Sequence, residues 1–325
     1  ALYDEVLAAQ PENVAALRAR ADVARESGDA AAAFACLEKL ARLLPEDDPS
    51  APPAWLELGT QALAADKLPE ARAAWEKAAS LRPGDFTLAR QVAELLLRAG
   101  LVAEAAVFYE KLAAQSDPAR RLDALHDLAR IHELGDDFDK AGAALRQALT
   151  VLDFRDGRYL EFFRRLVRLH ERAGLLDEMR TRLEDAAGAR PPEERSLLDL
   201  ARFYEFTVDQ DAHVAALRAL VKAVPQVMDY RWQLVRALLD HDGAREAAEL
   251  LDKSMSGDSQ APALVFLRCE ADLRLGDAAA AGARLQKLLA AGADTDLEKQ
   301  ALAFAQERSL DIVIEEILRR RVERD

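Results

Sequence analysis

The stretch AWLELGTQALAADKLPEARAAWEKAASLRP, residues 54–83, decides the fold of this 325-residue chain. This stretch predicts two short helices joined by a turn. Gly59 in the first helix has no side chain, which lets the helices approach closely, and we expect Ala71 to face it from the second helix. Trp55 and Trp75 are expected to fill the space between the two helices.

The same unit recurs along the chain. Pro83, which has no backbone N–H, is expected to end the second helix. The spaced residues W-x2-L-G, A-x3-W and P resemble the tetratricopeptide repeat, a helix–turn–helix unit of 34 residues. Matching repeat starts are Val14, Pro52, Phe86, Leu122, Leu160, Glu194, Met228 and Pro262. The intervals between them are 38, 34, 36, 38, 34, 34 and 34 residues, so insertions must lie in loops.

This resemblance implies an all-α fold, a right-handed α–α superhelix of about eight helix–turn–helix repeats followed by capping helices. We predict about nineteen helices, with one remnant of a preceding repeat in 1–12, eight pairs in 14–294 and a two-helix cap in 295–325. Residues 1–325 would form a single solenoid. Because the chain begins within a repeat, we interpret it as a piece of a longer protein. In the family, first helices line a concave groove that usually binds peptides or partner proteins.

Composition and charge argue against several classes of protein. Half of the residues are apolar and 31% are charged, which is typical of a folded chain. The formal net charge of −14 argues against nucleic-acid binding. No apolar run approaches the roughly 18 residues that a membrane span needs, so we expect no membrane insertion by this chain. Cys36 and Cys269 are interpreted as small core residues, which favours a reducing, cytoplasmic compartment.

The sequence contains no motif for catalysis, for a cofactor or for a metal. Its five histidines form no H-E-x-x-H, no Cys–His cluster has zinc spacing, and no G-x-S-x-G or phosphate loop occurs. His132 and His170 lie near the position where a tyrosine often packs between helices of the family, so we interpret both as structural. We therefore expect a protein that is not an enzyme.

One repeat departs from the pattern. The sixth repeat has no turn glycine, and His213 occupies a position where alanine is expected. The stability of a repeat array is approximately a sum over neighbouring units. We therefore predict that the chain opens most easily around Asp209–His213, with weaker hydrogen-exchange protection there than at the turn of Gly174.

Arginines recur on the first helices at positions that face the groove in the family. The ninth position is arginine in four successive repeats, and Arg164, Arg168 and Arg172 share one helix face. The candidate partner-binding residues are Arg90, His126, Arg130, Arg164, Arg168, Arg172, Arg202, Trp232 and Arg236. A guanidinium binds a carboxylate bidentately, so we expect an acidic partner segment. The ninth position is expected to point away from the core, so that charge reversal there would affect stability little.

Two further interpretations of these positions remain open. Acidic residues close enough to neutralise several arginines, which would leave only a solvated helix face, are Glu133, Glu171, Asp199 and Glu205. Apolar residues near the C-terminal end would form either a pocket or a contact with the final helices. These are Trp232, Leu239, Phe266, Leu267 and Leu273.

The sequence therefore predicts a non-catalytic scaffold that binds an acidic or extended segment of a protein or peptide in an arginine-lined groove. A regulatory sensor module of a larger signalling enzyme is one alternative, and an envelope or secretion assembly scaffold is another. Sequence flanking this chain would distinguish them. Binding of single-stranded nucleic acid would need aromatic residues that recur beside the arginines, and they do not recur.

Overall fold

The structure is a computed structural model that describes residues 2–115, 117–254, 261–291 and 295–322. These residues form nineteen α-helices and no strand. In chain order the helices are α1 (Leu2–Ala9), α2 (Val14–Glu26), α3 (Ala30–Leu43), α4 (Ala51–Ala64), α5 (Leu68–Leu81), α6 (Phe86–Arg98), α7 (Val102–Gln115), α8 (Pro118–Leu134), α9 (Phe138–Val151), α10 (Gly157–Ala173), α11 (Leu176–Ala187), α12 (Glu194–Phe206), α13 (Gln210–Ala223), α14 (Met228–Asp240), α15 (Ala244–Ser254), α16 (Pro262–Arg274), α17 (Ala278–Ala290), α18 (Thr295–Glu307) and α19 (Asp311–Val322). The predicted all-α class is confirmed.

The helices group into two compact units, Ala1–Gly174 and Leu175–Asp325. In the first unit each helix from α1 to α10 packs against its neighbours in sequence. In the second unit the same packing runs from α11 to α17, and α18 and α19 pack against each other and against α17. Each unit is therefore a stack of helix pairs. The division falls within the predicted fifth pair, because α10 ends the first unit and α11 begins the second.

The pair formed by α4 and α5 explains why residues 54–83 fold as they do. A Cβ atom on Gly59 would lie 2.4 Å from Trp75 Nε1 and 2.9 Å from the Ala71 carbonyl oxygen, so only glycine fits. Trp75 is fully buried and donates its indole N–H to the Leu56 carbonyl oxygen at 3.2 Å. The predicted close approach is present, whereas Trp55 is only half-buried.

Two first helices begin about one turn earlier than the repeat pattern predicts, and α4 begins one residue earlier. α8 begins at Pro118 and α10 at Gly157, and each is preceded by an aspartate whose side chain accepts backbone N–H groups of the first turn. These N-caps, Asp117 and Asp156, extend both helices by about one turn. As a result Tyr159, which the pattern puts in a connector, is fully buried in α10.

A residue with positive φ marks the connection between the two helices of each pair. Residues at this position are Gly28, Asp66, Gly100, Asp136, Gly174, Val208, Asp242, Gly276 and Ser309. Glycine has no Cβ to clash in this conformation, and aspartate tolerates it better than most residues do. Ser309 and Val208 are neither glycine nor aspartate, and Val208, with a φ of 59°, also has a β-branched side chain, which is 73% exposed. The sixth repeat is therefore strained at its turn.

Replacing Val208 by asparagine is expected to raise the free energy of unfolding by about 1 kcal/mol. The left-handed conformation strains a β-branched residue, and the exposed side chain contributes little burial. Urea denaturation followed by circular dichroism measures the change. The reverse substitution at an equivalent turn, Asp242→Val, is the control and should lower stability. An unchanged or lower midpoint for Val208→Asn would contradict the strain at this turn.

His213 in the same repeat makes a specific contact. Its Nδ1 atom lies 2.8 Å from the Ala201 carbonyl oxygen, so the ring links α13 to α12. The helix α13 begins after Asp209, whose side chain accepts the N–H of Ala212. Easier opening around Asp209–His213 stays a prediction, and the strain at Val208 supplies a physical reason for it.

Candidate functional site

The predicted arginines all lie on first helices, but they are divided between the two units. In the first unit Arg90 lies on α6, His126 and Arg130 lie on α8, and Arg164, Arg168 and Arg172 lie on α10. In the second unit Arg202 lies on α12, and Trp232 and Arg236 lie on α14. Some of these arginines pair with carboxylates of their own unit, and others have no ion-pair partner among the described residues.

Asp127 is the centre of a charged cluster on α6 and α8. Only 11% of its side chain is exposed, and its oxygens lie 3.3 Å from Arg90 Nη2, 3.7 Å from Arg130 Nη2 and 3.8 Å from His126 Nδ1. Burial alone would raise the pKa of this carboxyl. The polar contact with His126 and the charges of Arg90 and Arg130 outweigh burial, so the pKa of Asp127 is lowered. Both arginines are thus paired inside the chain.

A second carboxylate, Glu133 at the end of α8, pairs with arginines of α10. Its oxygens lie 2.8 Å from Arg165 Nε and 3.7 Å from Arg172 Nη1. The Arg172 guanidinium also lies over the Phe138 ring, 5.2 Å from its centroid. Arg172 therefore forms an ion pair and a cation–π contact within its own unit.

Arg202 in the second unit is largely buried. Only 14% of its side chain is exposed, and its Nη1 atom lies 3.7 Å from Asp199 Oδ1. Arg195 lies 3.7 Å from the other oxygen of the same carboxylate. The expectation that the ninth position points away from the core is wrong for Arg202, because the buried Asp199 one turn earlier holds its guanidinium against the helix.

Arg168 on α10 and Arg236 on α14 differ from these arginines. Both side chains are exposed, and neither has an ion-pair partner in the part of the chain that the structure describes. Arg164 is also exposed on α10, but it has an interaction within the chain. Guanidinium groups without a carboxylate keep their N–H donors available for a ligand.

A hollow of about 380 Å³ lies between α14, α16 and α18 in the second unit. Its apolar lining consists of Leu239, Phe266, Leu267 and Phe304. The rings of Phe266 and Phe304 lie 5.3 Å apart and are tilted by 49°. Because Phe304 lies on α18, Phe266 contacts the final helices, and a hollow remains beside that contact, so both predicted alternatives are present.

Charged residues complete the lining of this hollow. Glu270 lies 2.6 Å from Arg308 Nε and 3.3 Å from Arg274 Nε. Burial would raise the pKa of Glu270, but the hydrogen bonds and charges of these two arginines outweigh it, so its pKa is lowered. Arg308 also lies over the Phe304 ring, 4.1 Å from its centroid. Arg236 lines the same hollow without such a carboxylate among the described residues.

His132, His170 and Cys269 fit structural roles. His132 and His170 are buried, burial lowers the pKa of His132, and His170 Nδ1 lies 2.8 Å from the Leu166 carbonyl oxygen. Burial raises the pKa of Cys269 to about 12, so its thiol stays protonated. Within the described ranges, no group of three or more His, Cys, Asp or Glu is arranged to hold a metal ion, and no helix combines the length and apolarity needed to cross a membrane.

Sequence reasoning named Glu133 and Asp199 among the acids that could neutralise arginines, but it missed Asp127. A local signal was present, because Asp127 stands three residues before Arg130 and Asp199 stands three residues before Arg202. Residues at this spacing are neighbours on a helix surface. The corresponding residues before Arg168 and Arg236 are an arginine and a glutamine. The i−3 residue therefore separates Arg130 and Arg202 from Arg168 and Arg236. Arg90 and Arg172 are instead paired by carboxylates of another first helix, α8.

No protein-family model and no curated protein matches the sequence. A tetratricopeptide repeat protein from Parabacteroides merdae is 16% identical, with 90% of this chain and 98% of that chain covered and a TM-score of 0.33. Yeast Tom70 is 15% identical, with 99% and 88% covered and a TM-score of 0.37. YrrB, a TPR protein with an unusual peptide-binding site, is 13% identical, with 66% and 97% covered and a TM-score of 0.33.

The assignment of the fold rests on the recurring sequence pattern and on the helix pairs of this chain. The glycine–tryptophan contact between α4 and α5 is the close approach that the repeat pattern requires. A positive-φ residue returns at intervals of 33 to 38 residues from Gly28 to Ser309. This chain therefore has a tetratricopeptide-type fold of repeated helix pairs.

Proposed function

We propose that this chain is a non-catalytic interaction scaffold that binds an acidic, extended segment of a partner protein through arginines of its first helices. One observation carries the proposal. Arg168 and Arg236 are exposed and have no ion-pair partner among the described residues, although other arginines of the first helices are held by buried or half-buried carboxylates. A carboxylate of the partner would supply the missing counter-charge through charge-assisted hydrogen bonds.

The remaining candidate residues have smaller parts in this proposal. Arg90, Arg130 and Arg172 already share carboxylates, so an incoming acid would have to compete for them. Arg202 is largely buried and stabilises Asp199. In the first unit the exposed side chains of His126 and Arg164 would flank a bound carboxylate, and in the second unit the half-buried Trp232 would do so.

Because the whole chain is acidic, its attraction to an acidic partner segment can act only at short range. With a formal net charge of −14, the chain repels an acidic partner at long range. At physiological ionic strength, however, charges are screened beyond about 8 Å. Contact pairing at Arg168 and Arg236 can therefore dominate, and affinity is expected to fall as salt is added.

The charge reversals Arg168→Glu and Arg236→Glu, made together, are expected to reduce partner capture at least about tenfold. Each removes a carboxylate contact and adds repulsion, which corresponds to more than about 1.4 kcal/mol. Stability should change by less than about 0.5 kcal/mol, since both positions are exposed. The measurement is affinity capture with the chain from an extract of its source organism, quantified by mass spectrometry.

The matched control is Arg146→Glu with Arg245→Glu, on the second helices α9 and α15. These arginines are also exposed and have no ion-pair partner within the described residues, and the double variant carries the same change in net charge. Capture by the control should equal capture by the wild-type chain. Equal capture by both double variants would sink the arginine proposal and favour a binding surface elsewhere.

A further inference from the structure

We propose that the hollow between α14, α16 and α18 binds one large apolar side chain of the partner segment, adjacent to a carboxylate that pairs with Arg236. This inference rests on the proposed function and specifies the chemistry of one binding position. The segment would carry an aromatic or long aliphatic residue next to aspartate or glutamate.

The size and the lining of the hollow favour a single large side chain. Its volume of about 380 Å³ is near the lower end of the range of ligand pockets, about 300–1,000 Å³. Phe266, Leu267 and Phe304 are each only half-buried, so they present apolar surface to solvent inside the hollow. The tilt of 49° between the two phenylalanine rings leaves a ring face and a ring edge for an aromatic guest.

The charges around the hollow favour an acidic neighbour. Arg308 and Arg274 are held by Glu270, at 2.6 and 3.3 Å. Asp240 lies 4.0 Å from Arg274 and is 70% exposed. Arg236 is left without a counter-charge among the described residues that line the hollow. A basic guest would be repelled there, whereas an acidic residue beside the apolar guest would complete the pairing.

The test is selection of peptides from a random display library on the whole chain. Enriched peptides are expected to carry Phe, Trp or Leu within about two residues of Asp or Glu, because a wider spacing could not reach both the hollow and Arg236. One enriched peptide is then labelled for fluorescence polarisation. Replacing its apolar residue by alanine, or its acid by the amide, should each weaken binding about tenfold.

Variants of the chain test whether the acid of the peptide contacts Arg236 and whether its apolar residue enters the hollow. Arg236→Gln should abolish the preference for the acidic peptide over its amide form and keep the preference for the apolar residue. Leu267→Trp should fill the hollow and abolish the preference for the apolar residue over alanine. These are double-mutant comparisons, so a general loss of folding would not reproduce them. Arg245→Gln, on α15, is the control and should alter neither preference.

The outcomes separate this inference from the proposed function. Acidic peptides without an apolar residue would overturn the inference and leave the proposed function standing. Apolar peptides without an acid, or no enrichment at all, would overturn both. If Leu267→Trp does not fold, binding of the apolar peptide and of its alanine form is compared on the wild-type chain and on Arg236→Gln. This comparison alone tests the inference. Equal binding of the two forms overturns the inference.

Discussion

Replacing Trp75 by alanine is expected to lower the free energy of unfolding by about 3–5 kcal/mol. Trp75 is fully buried between α4 and α5 and lies against the backbone at Gly59. Truncation would remove its packing, leave a cavity, and leave the Leu56 carbonyl oxygen without the indole N–H that it accepts. This substitution acts directly on the contact between α4 and α5 that defines the repeat.

Urea denaturation of Trp75→Ala beside Trp55→Ala measures this effect. Trp55 is half-buried in the same helix pair, so its truncation should have clearly less than half the effect. Gly59→Ala gives a second comparison, because its new Cβ would lie 2.4 Å from Trp75 Nε1. Gly59→Ala should be less harmful when Trp75 is already alanine. Equal losses for the two tryptophans would contradict the packing described between α4 and α5.

Replacing Asp272 by alanine is expected to lower the free energy of unfolding by about 3 kcal/mol or more. Its side chain on α16 is only 6% exposed and accepts hydrogen bonds from Arg268 and from Arg284 Nε, the latter at 2.8 Å. Arg268 is itself only 10% exposed and would keep Asp252 alone as a partner. Loss of Asp272 therefore leaves buried positive charge incompletely paired.

The control for Asp272→Ala is Asp296→Ala on α18. Asp296 pairs with Lys299 at 3.1 Å, but its side chain is 82% exposed. Exposed pairs contribute about 0–1 kcal/mol, so this substitution should alter the denaturation midpoint little. Similar small losses for both variants would show that the network around Arg268 is not important for stability.

The helix pairs could be predicted because their signal is local and repeated. A small residue in one helix and a large one in the next recur at nearly constant spacing, and five of the eight first helices begin at the predicted residue. The early starts of α8 and α10 were missed because the repeat register outweighed Asp117 and Asp156, whose capping is also a local signal. The missing glycine of the sixth repeat pointed to a weak turn, but not to a positive φ at Val208, because β-branched residues disfavour that conformation.

The candidate site could be predicted only in part. The positions of the arginines on first helices follow from the repeat register, but their pairing depends on side chains from neighbouring helices. Arg90, for example, is held by Asp127, which is 37 residues later in the sequence and lies on the next first helix. The hollow likewise needs α14, α16 and α18 in their folded positions, although Phe266 and Leu239 were recognised from the sequence.

Hydrogen–deuterium exchange of the whole chain, with and without a saturating library-selected peptide, tests the central claim most directly. If the partner segment binds through arginines of the first helices, exchange should slow in α10 or α14, around Arg168 or Arg236. Exchange in the second helices α9 and α15, where the control arginines lie, should stay unchanged. Protection confined to second helices, with none in α10 or α14, would contradict the account.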